Sequence, residues 1–248
     1  MEGIRRIALV TDFGGSGPYL GQMKLRLAQL VPEIPVIDLI SDLAPFRPDL
    51  AAYLLPALVR DMPAATLYLC VVDPGVGGER NALVVEVDGN GFIGPDNGLL
   101  GIVARRALDL TVRRVDWRPR NLSASFHGRD LFAPLAAMTC QGKPYAGIQI
   151  DLAAIEGSGA PNDLSRIIYA DGYGNLMTGV RASLLGRDTQ ISAAGARLGC
   201  ARTFCEVPPG TAFWYENALG LVELAVNQGR ADEVLGLGAG DPFVVEMA

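Results

Sequence analysis

The chain almost lacks histidine: His127 is the one imidazole in 248 residues. A zinc site needs about four nitrogen or sulfur ligands, and Cys200 and Cys205 have no second cysteine or histidine pair to complete one. No metal is therefore expected, and no cofactor motif stands out. The four cysteines are scattered, which suits reduced thiols rather than a disulfide framework, with Cys70 inside a hydrophobic run as a core residue. Positive charge is also short, with 21 Lys and Arg against 27 Asp and Glu, a net charge of −6. Neutralising phosphates takes clustered cations, so no nucleic-acid partner is expected. Long apolar runs are missing as well. None approaches the ~18 residues of a membrane span, and MEGIRRIALVTDFGG has no apolar signal core followed by a small-residue cleavage site. No membrane partner and a cytoplasmic location follow as expectations.

What is present is a core-forming composition. Half of the residues are hydrophobic and 19% are charged, which excludes disorder, a state that needs low hydrophobicity and high net charge. Through the first 152 residues, short apolar runs alternate with helix-period segments. RIALV (6–10), PVIDLI (35–40) and LYLCVV (67–72) read as buried strands. PYLGQMKLRLAQL (18–30), LAAYLLPALVRDM (50–62, interrupted at Pro56), GLLGIVARRAL (98–108) and the stretch from Arg129 to about Thr139 read as helices. ALVVEV and GFIG flank Asp88-Gly89 as a hairpin pair. The pattern predicts an α/β domain with a mostly parallel sheet covered on both faces. AAIEGSGAPND (153–163) reads as a linker. Residues 164–248 hold many short strands between Gly and Pro turns, which predicts a small antiparallel β-barrel domain.

In open α/β sheets, ligands bind beyond the carboxyl ends of the strands. Two strands here end on an aspartate followed by glycines: VTDFGGSG, with Asp12, and VVDPGVGGER, with Asp73 and Arg80. A carboxylate released there, where glycines let a ligand approach the backbone, suits a sugar hydroxyl or a polar reaction centre. Each aspartate could instead cap its own turn, and both readings stand at this level. GNGFIG (89–94) matches G-x-G-x-x-G but leads into GPDNG rather than opening a helix, so the context of a dinucleotide fingerprint is missing. Arg129 and Asp130 could simply pair, with Asp130 in the first turn of a helix.

Taken in order, VTDFG, VVDPGVGGER, GPDNGLL, FHGRDLFAP, DGYGNLMTG and LVELAVNQG resemble the S-adenosyl-L-methionine hydroxide adenosyltransferase family, the adenosine-forming S-adenosylmethionine (SAM) hydrolases. The resemblance covers nearly the whole chain. It implies hydrolysis of SAM at ribose C5′ to adenosine and L-methionine, and a homotrimer with sites at subunit interfaces. It further implies a water-activating set of Asp73, Arg80 and His127. Asp12 then holds the ribose hydroxyls, Asp171 the methionine ammonium and Asn175 the adenine. Tyr173 stacks where relatives have Phe, and backbone near Asn227 and Gln228 reads the adenine edge. Halogenating relatives carry Tyr at position 73, Thr at 76 and Tyr-Ser at 127–128; Asp73, Val76, His127 and Gly128 follow the hydrolytic pattern. A halide-using enzyme and a non-catalytic SAM or adenosine sensor are the alternatives. Ala218 and Ser41 depart from the resemblance, standing where relatives have Ser and His.

The implied reaction poses an energetic problem. The leaving group is a neutral thioether and needs no acid, but the nucleophile is water. Free hydroxide at neutral pH costs roughly 12 kcal/mol, from a water pKa of about 15.7. An arginine about 4 Å away returns only about 4 kcal/mol at an effective dielectric near 20. The expectation is therefore a proton that moves during C–O bond formation, with His127 as acceptor by pKa match and Asp73 orienting the ring or the water.

Overall fold

The computed structural model describes residues 3–246. The chain packs as two compact units, Met1–Ala52 with Asp61–Ala160, and Tyr53–Arg60 with Pro161–Ala248.

The first unit contains β1 (Arg6–Thr11), α1 (Pro18–Leu30), β2 (Val36–Ile40), the start of α2 (Pro48–Val59), β3 (Thr66–Val71), β4 (Ala82–Val87), β5 (Asn90–Pro95), α3 (Gly101–Arg105), β6 (Leu110–Val115), α4 (Ala133–Cys140) and β7 (Gly147–Gln149). Its seven strands form one sheet in the order β2-β1-β3-β5-β4-β6-β7. The pairs β2-β1, β1-β3 and β3-β5 are parallel, and β4 runs antiparallel to β5 and β6. Every residue of β3 is buried, as a parallel strand with both faces covered requires. One face packs Ile7, Leu9, Leu67, Leu69 and Val71 against Met23 and Leu27 of α1 and Leu135 and Ala136 of α4. Each such side chain contributes about 1.5–3 kcal/mol when fully buried.

Local chemistry explains where expectation and structure differ. The β4–β5 hairpin turns on Asp88 (φ 49°) and Gly89 (φ 80°), the two positive φ values of a tight Asp-Gly turn. GNGFIG is thus a turn and a strand, with no helix behind it. The helix read at 98–108 shrinks to α3, because Gly98 at φ 94° lies in the left-handed region where a helix cannot begin. α2 runs through Pro56 without interruption. The helix read from Arg129 begins as a π-helical turn, Gly128–Phe132, before α4.

The second unit is antiparallel, as the turn-rich pattern predicts. It contains β8 (Leu164–Ala170), β9 (Leu176–Arg181), β10 (Gln190–Ala193), β11 (Ala196–Leu198), β12 (Ala212–Glu216), β13 (Leu221–Val226), α5 (Ala231–Leu235) and β14 (Val244–Glu246). The strands form two sheets, β12-β13-β9-β8 and β11-β10-β14. Ile167, Leu176, Ile191, Leu198, Trp214, Val222 and Leu224 share one core. Among the described residues, no helix is long and apolar enough to cross a membrane.

Candidate functional site

β1 and β3 are parallel neighbours with Thr11 opposite Val71, so the aspartates just beyond them emerge at the same edge of the sheet. Both line a pocket of about 310 Å³ in the first unit, together with His127 and the aromatic rings of Phe13, Tyr19, Phe46 and Phe126. The Oδ2 of Asp12 accepts the backbone N–H of Phe46 at 3.0 Å. Burial raises the Asp12 carboxyl above its usual range; that bond opposes the shift, and the Asp73 charge adds to it.

Asp73 is gripped by Arg80. The guanidinium Nε donates to Oδ1 at 2.9 Å and to Oδ2 at 3.1 Å, and its second nitrogen also bonds Oδ2. The two side chains are only 5% and 11% exposed. The same arginine reaches His127 Nδ1 at 2.9 Å and lies over the Phe132 ring, 5.2 Å from its centroid. It is absent from the pocket wall formed by Asp73 and His127, so it stands behind them and joins them.

Glycine makes this approach possible. Gly77 sits at φ 83°, and a Cβ there would collide with the carbonyl oxygen of Ala124, three residues before His127. The GPDNG segment holds the other side: Asn97 Nδ2 donates to the Val72 carbonyl at 2.9 Å, fixing the peptide that precedes Asp73. Arg129 and Asp130 do pair, at 2.6 and 2.8 Å, and Arg129 also donates to Gln22 of α1 at 2.6 Å. They brace the turn that carries His127.

Arginine only donates hydrogen bonds. The His127 Nδ1 facing Arg80 must therefore be the bare nitrogen, and the neutral ring carries its proton on Nε2. Burial is the main cause of a His127 pKa below the usual 6.5, and the Arg80 charge lowers it further against the pull of Asp73. In this geometry the Nδ1 lone pair faces a guanidinium, which favours His127 as a donor over the expected proton acceptor.

The sequence missed the aromatic walls. Phe13 and Phe126 meet edge to face with centroids 6.0 Å apart, and Tyr19 and Phe126 at 5.2 Å. Three of the chain's eight phenylalanines line this pocket. The available signal was their position within or beside the motifs, in TDF and SFHGRD. Walls of aromatic faces with two carboxylates suit a cation.

In the second unit, Asp171, Tyr173 and Asn175 share one turn. Asp171 Oδ1 accepts the backbone N–H groups of Tyr173 and Asn175, each at 2.9 Å, and Oδ2 accepts Asn175 Nδ2 at 3.0 Å. The turn leaves the Tyr173 ring 81% exposed. Asn227 is not part of it. At the end of β13 it donates to the Val207 carbonyl at 2.7 Å, next to Gln228 at φ 55°.

Comparison with known proteins finds relatives over nearly the full length of the chain. Residues 7–149 match the SAM hydroxide adenosyltransferase N-terminal domain, and residues 165–244 match its C-terminal domain. An (R)-S-adenosyl-L-methionine hydrolase of Thermus thermophilus is 35% identical, covering 96% of this chain and 98% of its own. A protein of the same name from Salinispora arenicola is 33% identical, covering 96% and 97%. The crystal structure of an uncharacterized conserved protein from Thermotoga maritima superposes with a TM-score of 0.86 at 28% identity, covering 97% of this chain and all of that one. The chain belongs to the SAM hydroxide adenosyltransferase family.

Proposed function

We propose that this protein hydrolyses S-adenosyl-L-methionine, as its (R) sulfonium epimer, to adenosine and L-methionine. The observation that carries the reading is the Asp73–Arg80–His127 constellation, with Asp73 and His127 on the wall of an aromatic, acidic pocket and Arg80 joining them from behind. A sulfonium is a cation with an apolar periphery, which is what such a pocket favours.

The geometry suggests a division of labour. His127 presents Nε2–H to the water oxygen and orients it. Asp73 keeps acceptor capacity beyond its bonds to Arg80 and takes the proton. A carboxylate is far too weak a base to deprotonate bulk water, but it need not do so. As the C5′–O bond forms, the attacking oxygen becomes positive and its protons become strongly acidic, so a carboxylate suffices late in the step. Water thus attacks C5′, the C5′–S bond breaks with its electron pair on sulfur, and the proton passes to Asp73. Holding water and carbon in line supplies much of the remaining acceleration. Arg80 holds the Asp73 carboxylate in place and His127 in its donor tautomer.

We further propose that the protein works as a homotrimer with the site completed at a subunit interface. Supporting this, Tyr19 and Phe46 on the pocket are 52% and 72% exposed, a large apolar rim for a buried reaction.

The test is incubation with each SAM epimer in halide-free buffer containing ¹⁸O-water. Adenosine carrying one ¹⁸O, with methionine unlabelled and the (R) epimer preferred, is the expected result. Tight binding without adenosine would instead favour a sensor. Label in a product other than adenosine would refute attack at C5′.

A further inference from the structure

Gly128 lines the pocket next to His127 and opens the helical turn Gly128–Phe132. That backbone is open to any residue, since only left-handed φ values call for glycine. The glycine is there for space. A Cβ at position 128 would stand 3.1 Å from Met23 Sδ, 3.3 Å from Phe126 Cε2 and 3.3 Å from Phe13 Cζ. Side chains from α1, from the loop after β1 and from the stretch before His127 thus converge on one point.

Met23 differs from the two rings. Phe13 and Phe126 form pocket wall, whereas Met23 does not and has no exposed surface. It packs in the core with Leu27, Leu131 and Leu135, against which Phe13 also rests. A thioether is polarizable and suits contact with ring edges. In a close-packed interior a ring moves back only where there is room behind it. Met23 therefore sets how far Phe13 and Phe126 can retreat, and with them the width of the pocket beside His127 and Asp73.

We propose that Met23 is a specificity-determining residue: by filling the space behind Gly128, Phe13 and Phe126 it sizes the nucleophile's place for water and excludes larger hydroxyl compounds. This rests on the hydrolase reading above. The exclusion has to be steric, because an alcohol carries the same reactive oxygen. Its oxygen would bond C5′, the C5′–S bond would break with its electron pair on sulfur, and the hydroxyl proton would pass to Asp73. Nothing in that chemistry distinguishes methanol from water.

The test is product partition in buffer containing methanol, with SAM as substrate and four proteins: wild type, Met23→Ala, Met23→Val and Met23→Leu. The wild type should form adenosine with little 5′-O-methyladenosine. One methyl group in a tight pocket is worth roughly 10–200-fold, so Met23→Ala should raise the ratio of methyl ether to adenosine about tenfold or more. Met23→Leu keeps the volume and should hold the ratio within about threefold of wild type. Both products come from the same active sites, so a loss of folded protein lowers both and leaves their ratio unmoved. A merely structural Met23 gives that result and overturns the proposal. So does a rise in Met23→Leu equal to that in Met23→Ala. Should Met23→Ala not fold, Met23→Val must raise the ratio about threefold or more, and an unmoved ratio there overturns the proposal. A wild type that already forms the ether in proportion to the methanol present overturns it too. A wild type that forms neither product defeats the hydrolase reading, and this proposal falls with it.

Discussion

Replacing Arg80 with methionine tests the His127 assignment directly, because a single imidazole gives a single set of ring resonances. In the wild type the guanidinium sits 2.9 Å from Nδ1. With charge centres about 4 Å apart and an effective dielectric near 20, it opposes an imidazolium by about 4 kcal/mol. Asp73, bonded by the same guanidinium nitrogen that faces His127, offsets part of this. Removing Arg80 abolishes the repulsion and unmasks the attraction, so both changes favour protonation. With ¹⁵N-labelled histidine, the wild type should show a bare Nδ1, a protonated Nε2 and a titration below pH 6.5. The variant should titrate at higher pH than the wild type, with burial still opposing the charge. A lowered folded pKa gives the wild type a contribution complete above pH 6.5 and lost as pH falls through the folded value, and in the variant that contribution should shrink. The Asp73 carboxylate, 5% exposed and left without its cation, costs about 3–5 kcal/mol. At roughly 2–4 °C per kcal/mol for a chain of this size, the melting temperature should fall by roughly 6–20 °C. A protonated Nδ1 in the wild type, or a titration unmoved or lowered in the variant, would refute the reasoning.

Other perturbations separate the remaining parts of the site. Gly77→Ala combines a left-handed φ with a collision against the Ala124 carbonyl; a loss of at least about 2 kcal/mol in denaturant melts is expected, with activity reduced because that carbonyl leads into His127. Phe46→Gly relieves roughly 1 kcal/mol of backbone strain at φ 63° but removes a ring from the pocket wall, so thermal stability should hold or rise while KM increases. Asp12→Asn keeps the acceptor for the Phe46 N–H and removes a charge whose carboxyl is raised by burial. Since such a group's contribution is present below pH 3.8 and lost as pH rises through the folded value, the variant should melt no lower than the wild type at pH 7, and weaker SAM binding by calorimetry should accompany it.

Much of the framework was legible because it depends on neighbours in the chain. Apolar runs of strand length marked β1, β2 and β3, and Asp88-Gly89 marked the hairpin that disposed of GNGFIG. The strand-end aspartates stood out because a carboxylate before glycines is unusual chemistry at the mouth of a sheet. The resemblance supplied His127 as the third member of the set. What stayed hidden depends on orientation and on distant encounters. No spacing says which ring nitrogen faces an arginine, and the proposed donor role of His127 rests on that detail. Phe13, Phe46 and Phe126 come to one pocket only after the sheet is built, so their place within or beside the motifs does not by itself mark them as one wall. Glu223 reads as one polar letter in LVELAV, the ordinary alternation of a half-exposed strand, whereas the folded chain buries it and bonds it to Tyr215 and Asn217.

The in-register ladder from Arg6–Thr66 to Thr11–Val71 also acts as a ruler. Strands about 4.8 Å apart set the separation of Asp12 and Asp73 through main-chain geometry, before any side chain is chosen. A slip of one rung would displace one carboxylate by about 3.3 Å and turn its strand inside out, exposing residues that are now buried along β3. Misalignment of the reacting groups is thereby penalised by the whole hydrophobic interior rather than by the few atoms that meet the ligand. Residues after the strand ends can then be exchanged one at a time while the spacing of the two strand ends is kept.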